Sequence, residues 1–191
     1  CMSFGKAGTM HDWTLDETES EKVIKHALNM GINFFDTANC YSVGTSEEYL
    51  GKAIRNNIAR DKVVIASKVY FNDGRLSKEA IAREIDGTLQ RLGTDYLDLY
   101  IIHRFDFDTP IEETMEALDV LVKAGKVRAI GASAMYGYQF YNMQIAAREH
   151  GWTPFSTMEN HYNLLYREDE RELIPICNQM GVSLMPYLSL I

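Results

Sequence analysis

The sequence predicts an α/β fold, a (β/α)8 TIM barrel of which about seven βα units are present in 191 residues. One observation is a repeat marked by glycines that follow amphipathic stretches. These glycines lie 62, 32, 26 and 30 residues apart, at Gly31, Gly93, Gly125, Gly151 and Gly181. The interval of about 30 residues is the length of a βα unit, and 62 is about two of them. Because a complete barrel usually needs about 250 residues, we expect one domain over 1–191, truncated on its C-terminal side.

A second observation is a series of short strands with near-continuous apolar runs, which is typical of a parallel sheet buried on both faces. The residues 2–5 could form the end of one more strand, which would bring the number to seven. The predicted strands otherwise cover residues 34–36, 63–67, 97–102, 127–131, 155–159 and 182–186.

The helices between these strands show apolar residues at steps of three and four. One predicted helix covers 77–92 and turns Ile81, Ile85, Leu89 and Leu92 toward the sheet. Another begins with a capping box at Thr109 and with Pro110 in its first turn. Its inward residues are Met115, Leu118, Leu121 and Val122.

The composition limits the possible partners and compartments. With 19 Lys and Arg against 27 Asp and Glu, the formal charge is −8, which argues against a large basic face for nucleic acid. No apolar run approaches the roughly 20 residues of a membrane-spanning helix, and no signal peptide is recognisable. Three cysteines, Cys1, Cys40 and Cys177, lack the spacing of a disulfide framework or a zinc site. We expect a cytoplasmic protein without a bound metal.

Polar residues follow the predicted strands at the ends where a parallel barrel builds its active site. Asp36 and Tyr41 follow one strand, and the next two strands end in Lys68 and His103. A neighbouring ammonium at Lys68 would favour the Tyr41 phenolate, which makes the tyrosine a general acid. Asp36 would keep Lys68 charged, and His103 would donate to a carbonyl oxygen. Taken singly, each residue could serve only packing or capping, but the four together predict carbonyl reduction.

Several motifs resemble those of the aldo-keto reductase superfamily, in its bacterial-type branch. The first is GINFFDTA at 31–38, which Tyr41 follows. The others come in the same order as in the family, and together they cover nearly the whole chain. They are IASK at 65–68, DYLDLYIIHR at 95–104, GKVRAIGAS at 125–133 and HYNLLYRE at 161–168.

This resemblance implies an NADPH-dependent reductase of aldehydes or ketones that binds its cofactor without a Rossmann fold. The family's catalytic residues match Asp36, Tyr41, Lys68 and His103, and its cofactor contacts match Ser133, Glu159 and Tyr187. The last of these would stack on the nicotinamide ring. Glu159 stands where this branch usually has Gln, and a carboxylate cannot donate to a carboxamide oxygen. The substrate pocket is expected to include Trp13, Tyr70, Phe71 and Phe105.

Two other functions remain open at this point. The ion-channel β subunits share the fold of the family, so a barrel that senses its cofactor without turnover is one alternative. The other is a metal-dependent hydrolase built from Asp36, His103, Glu159 and His161. Lys68 would repel a cation there, which makes the hydrolase the weakest of the three hypotheses.

Overall fold

The structure is a computed structural model that describes residues 1–189, and it shows an open half-barrel of parallel strands. Strands and helices alternate along the chain, and the strands lie side by side in sequence order. The strands are β1 (Phe34–Asp36), β2 (Val64–Val69), β3 (Leu97–Ile102), β4 (Val127–Ser133), β5 (Thr157–Glu159) and β6 (Ser183–Leu184). The helices are α1 (Glu17–Asn29), α2 (Thr45–Asn57), α3 (Lys78–Leu92), α4 (Ile111–Lys123), α5 (Gly137–His150) and α6 (Leu173–Met180).

The predicted order of helix, glycine and strand is confirmed. Gly93 ends α3 with a φ of 66°, in the left-handed region that a side chain would strain, and its N–H donates to the Leu89 carbonyl at 2.8 Å. At the other end of α3 the Ser77 hydroxyl accepts from the Ala80 N–H at 3.3 Å. Both ends of the helix are therefore capped as the sequence indicates.

Two local predictions are wrong. Residues 2–5 form no sheet strand within the described chain, because Phe4 makes only an isolated bridge with Leu15. Six strands are therefore observed where seven were expected. The capping box at Thr109 is also absent: the Thr109 hydroxyl donates to Asp106 at 2.8 Å, and Pro110 occupies the N-cap itself. The Thr109 hydroxyl therefore binds the buried Asp106 carboxylate and does not cap the helix.

The strands alternate between two faces. Their outer side packs on the helices and forms the main core, to which Tyr100 and Ile102 belong. The inner side carries a smaller apolar group of Ala66, Leu99 and Ile101, which lies below the carboxyl ends of the strands. Two strands extend further than predicted, so that Lys68 lies inside β2 and Ser133 inside β4. None of the helices in residues 1–189 has the length and apolar character needed to cross a membrane.

Candidate active site

Tyr41 stands in a strained turn that follows β1. Ser42 and Val43, which come directly after it, adopt left-handed backbone conformations with φ of 47° and 56°. Such conformations cost about 1–3 kcal/mol each in residues other than glycine. The Thr45 hydroxyl donates to the Ser42 carbonyl at 2.8 Å and helps to hold the turn. This turn places the Tyr41 ring above the end of β2.

Lys68 is completely buried on β2, and its ammonium is the centre of the site. It forms an ion pair with Asp36, which ends the neighbouring strand β1. It also donates to the Thr37 carbonyl at 3.0 Å and to the Tyr41 hydroxyl at 3.5 Å. The expected pairing of Lys68 with Asp36 is confirmed. Glu159 is a further partner, with its Oε2 atom 3.4 Å from the Lys68 nitrogen.

His103 follows β3 and faces the Tyr41 ring edge-on, with ring centroids 5.7 Å apart. Phe71 also contacts the imidazole edge-on, with ring centroids 5.0 Å apart. The Cys40 sulfur lies 3.9 Å from Nδ1 of His103, so this thiol is a neighbour that sequence reasoning missed. The sequence could have indicated Cys40 as a site residue, because it directly precedes Tyr41. Asp36, Tyr41, Lys68 and His103 are thus brought together at one end of the sheet.

The residues expected to bind the cofactor lie at the same end of the sheet and line the same opening. Ser133 and Glu159 end β4 and β5 and are register partners in the sheet. Tyr187 bridges His161, and their rings stack with centroids 5.3 Å apart. Oε2 of Glu159 is a buried oxygen without a hydrogen-bond partner within the described residues. It makes an ion-pair contact with the Lys68 ammonium at 3.4 Å but no hydrogen bond, and Oδ1 of Asp36 is likewise buried without a hydrogen-bond partner in the described residues.

Burial decides the protonation states of this site. It raises the pKa of Tyr41 to about 12, although Lys68 acts in the opposite direction. Lys68 lowers this pKa, as the sequence predicts, but burial outweighs it, and Asp36 and Glu159 act in the same direction as burial. Burial also lowers the pKa of His103 to about 3, with Lys68 and Arg104 acting in the same direction. Tyr41 and His103 are therefore both neutral at pH 7, and both keep a proton to donate.

Lys68 and Glu159 titrate far from their ordinary values. Burial lowers the pKa of Lys68, but Asp36 and Glu159 outweigh it, and the pKa rises above the ordinary 10.5. For Glu159, burial and the charge of Asp36 raise the pKa to about 7, against the opposing effect of Lys68. Lys68 is thus an ammonium at pH 7, whereas Glu159 is partly protonated.

A cavity of about 680 Å³ opens over this group of residues. A second cavity of about 730 Å³ adjoins it and shares Phe71, Arg104 and Tyr187 with it. The catalytic candidates Asp36, Tyr41 and His103 line the first cavity, together with Ser133, Glu159 and Cys40. A carbonyl compound entering the first cavity can therefore reach Tyr41 and His103 together.

The predicted substrate residues divide between these cavities. Tyr70 and Phe105 line the second cavity and Phe71 lines both. Trp13 belongs to the lining of neither: it is 56% exposed and stacks on His11. Sequence reasoning missed Arg104, which directly follows His103 and forms no ion pair within residues 1–189. Aromatic rings and the Arg104 guanidinium thus surround the opening that leads to Tyr41 and His103.

The hydrolase hypothesis finds no ligand set in the described part of the chain. No three His, Cys, Asp or Glu side chains in residues 1–189 lie close enough together to hold a metal ion. Asp36 and Glu159 instead share the ammonium of Lys68.

Residues 2–191 match the sequence profile of the Aldo/keto reductase family. The chain belongs to this family. An aldo-keto reductase of Fusarium vanettenii is 45% identical in an alignment that covers 93% of this chain and 56% of that protein. The versiconal hemiacetal acetate reductase of Aspergillus parasiticus is 43% identical, over 98% of this chain and 61% of its own length.

Solved structures of the family share the fold. An aldo/keto reductase from Klebsiella pneumoniae, in complex with NADP and acetate, superposes with a TM-score of 0.81 at 33% identity. The superposition covers 96% of this chain and 62% of that one. The chain thus spans about three fifths of the length of these relatives.

Proposed function

We propose that this aldo-keto reductase chain carries the catalytic residues of an enzyme that reduces aldehydes or ketones to alcohols with NADPH. The observation that carries this proposal is the contact of the Tyr41 hydroxyl with the buried ammonium of Lys68, 3.5 Å away, beside a neutral His103. A proton donor, a cation beneath it and an uncharged hydrogen-bond donor are what the reduction of a carbonyl group requires.

Tyr41 acts as the general acid. The O–H bond of the phenol breaks while the carbonyl oxygen takes the proton, and the phenolate left behind lies beside the Lys68 ammonium. With a pKa of about 12, Tyr41 is protonated at neutral pH and therefore ready to donate. Asp36 keeps the ammonium in place, because an unpaired buried charge would be costly.

His103 holds the carbonyl oxygen. Because burial lowers its pKa to about 3, the imidazole is neutral and carries a single N–H. An N–H directed into the cavity stabilises the negative charge that develops on the substrate oxygen, and it costs little reorganisation in a dry site. Phe71 packs against the ring and fixes its orientation.

The cofactor would be held by Ser133, Glu159 and Tyr187. When bound, reduced nicotinamide supplies the hydride that the carbonyl carbon accepts. Oε2 of Glu159, which contacts Lys68 at 3.4 Å but makes no hydrogen bond within the described residues, fits a carboxamide: a protonated carboxyl both donates and accepts, as the usual Gln does. The half-buried ring of Tyr187 borders the cavity and offers a stacking surface. NADP in the Klebsiella pneumoniae relative supports the choice of cofactor.

The substrate would be a small carbonyl compound with an apolar or aromatic substituent. Phe71 lies at the junction of the two cavities, and Tyr70 contacts it edge-on at 5.0 Å. Phe105 lies further along the second cavity. The three cysteines are free thiols, which supports a reducing cytoplasm as the compartment.

Replacing Tyr41 with Phe tests this function. Tyr41→Phe should reduce kcat for aldehydes at least about 10²-fold, because no other donor replaces the phenol, with little change in NADPH affinity measured by fluorescence. Tyr138→Phe, in an exposed tyrosine of α5, is the matched control and should keep the activity. Near-normal kcat of Tyr41→Phe on every active aldehyde would contradict the assignment. Stoichiometric hydride transfer without turnover in the unmodified protein would favour the cofactor-sensing alternative.

A further inference from the structure

Lys68 lies between two carboxyl groups that come from opposite sides of the half-barrel. Asp36 is on the adjacent strand β1, whereas Glu159 reaches Lys68 from β5, with β3 and β4 between them. The contact with Glu159 therefore crosses the interior of the half-barrel and is not a consequence of strand pairing. One ammonium serves two acids in a buried site.

The charges in this group do not balance when both acids are ionised. Oδ1 of Asp36 is buried without a hydrogen-bond partner among the described residues, and Oε2 of Glu159 has only its 3.4 Å ion-pair contact with the ammonium that Asp36 already holds. A buried carboxylate oxygen without a donor is unfavourable, and one proton on the pair removes the excess charge. Asp36 contacts the ammonium more closely than Glu159 does, so the proton belongs on Glu159.

The charged groups around Glu159 agree with this assignment. Burial and Asp36 raise its pKa to about 7, while Lys68 lowers it. Tyr41 also faces the group but stays neutral across this range. Glu159 is therefore the acid of this group that changes its charge near neutral pH.

We propose that Glu159 is a positioning residue that acts on Tyr41 through Lys68. When protonated, it leaves the ammonium to Asp36 and Tyr41. When ionised, it competes for the ammonium and adds a negative charge that opposes the phenolate left by proton transfer. The two carboxyl groups around one buried ammonium carry the proposal for Glu159, and its effect on catalysis rests on the proposed function.

The titration is measured without substrate or cofactor. In ¹³C NMR of carboxyl-labelled glutamate, one resonance should titrate at about pH 7, be lost in Glu159→Gln and persist in Glu149→Gln. Glu149 is an exposed residue of α5 and serves as the matched control. Lys68→Met should move this midpoint upward, because the ammonium lowers it. The absence of any resonance with these properties would overturn the proposal.

Tyrosine absorbance measures the effect on Tyr41 directly. The contribution of Tyr41 to the alkaline titration is the part that is lost in Tyr41→Phe. Its midpoint should be lower in Glu159→Gln than in the unmodified protein, because Glu159→Gln removes a negative charge near Tyr41. Glu149→Gln should leave that midpoint unchanged. An equal midpoint in Glu159→Gln would show that Glu159 does not act on Tyr41.

The pH profile of kcat connects this titration to the reaction. It should fall above about pH 7 in the unmodified protein and lose that inflection in Glu159→Gln. A purely structural role would lower kcat equally at all pH values, which would also overturn the proposal. If no reductase activity is found but the NMR titration appears as expected, the proposed function fails while the titration of Glu159 stands.

Discussion

Removing the charge of Asp36 should destabilise the fold, because Lys68 has no access to water. Breaking a buried ion pair by removing one partner costs about 3–5 kcal/mol. Asp36 is 28% exposed, and Glu159 remains 3.4 Å from the ammonium as a second counter-charge. Both facts reduce the cost, so we expect Asp36→Asn to lower the free energy of unfolding by about 3 kcal/mol.

The double variant separates the ion pair from other effects of the substitution. In a Lys68→Met background no buried ammonium is left, and Asp36→Asn then removes only an acid that repels Glu159. The cost of Asp36→Asn should therefore fall to about zero in that background, which gives a coupling energy of about 3 kcal/mol.

Urea unfolding at pH 7 measures these differences, with the slope m unchanged if the compactness of both states is preserved. The matched control is Glu116→Gln. This substitution breaks the exposed ion pair of Lys78 with Glu116, in which Nζ and Oε2 lie 3.2 Å apart. It should lower the free energy of unfolding by less than about 1 kcal/mol. Equal losses for Asp36→Asn and Glu116→Gln, or an Asp36→Asn cost that persists without Lys68, would refute the reasoning.

Two further predictions concern pH and packing. The folded-state pKa of His103 lies at about 3, below the ordinary 6.5, so its contribution to stability is complete above pH 6.5 and is lost as the pH falls toward 3. In His103→Gln the urea midpoint should therefore fall less steeply between pH 6.5 and pH 3 than in the unmodified protein. An unchanged pH dependence would contradict the lowered pKa of His103. In α2, a Cβ at Gly51 would lie 2.1 Å from the Leu92 carbonyl oxygen, so Gly51→Ala should cost about 1–3 kcal/mol. Gly87→Ala is the control, because its Cβ meets only a flexible arginine side chain and helix propensity favours alanine. Thermal unfolding compares the two variants, and equal shifts of the melting temperature would disprove the close contact at Gly51.

The placement of the site was predictable because it depends on strand periodicity. Side chains two residues apart on a strand share a face, and parallel strands end at the same edge. Asp36, Lys68 and His103 therefore had to meet once the strands were recognised. The supposed strand at residues 2–5 failed because an apolar segment becomes a strand only where a neighbour pairs with it, and Phe4 pairs with Leu15 alone.

The protonation states were not predictable in the same way. The pKa of Tyr41 depends on how deeply its hydroxyl is buried and on every charge within reach, including Glu159 from a strand more than 100 residues later. Sequence reasoning counted Lys68 as the main influence because it considered only adjacent strands. Trp13 shows the same limit: its residue type suits a pocket, but its loop places it against His11 instead.

Glu159 shows how structure can reverse an argument made from residue type. As a carboxylate it seemed unsuited to a position where the family usually has Gln, because it lacks a donor. Burial beside Asp36 raises its pKa to about 7, and a protonated carboxyl has the donor and the acceptor that an amide has. The replacement of Gln by Glu therefore preserves the hydrogen-bonding pattern at acidic to neutral pH and adds a charge above it. A substitution that looks like a loss of function thus becomes a source of pH dependence, through the contact with Lys68 that the sequence alone does not reveal.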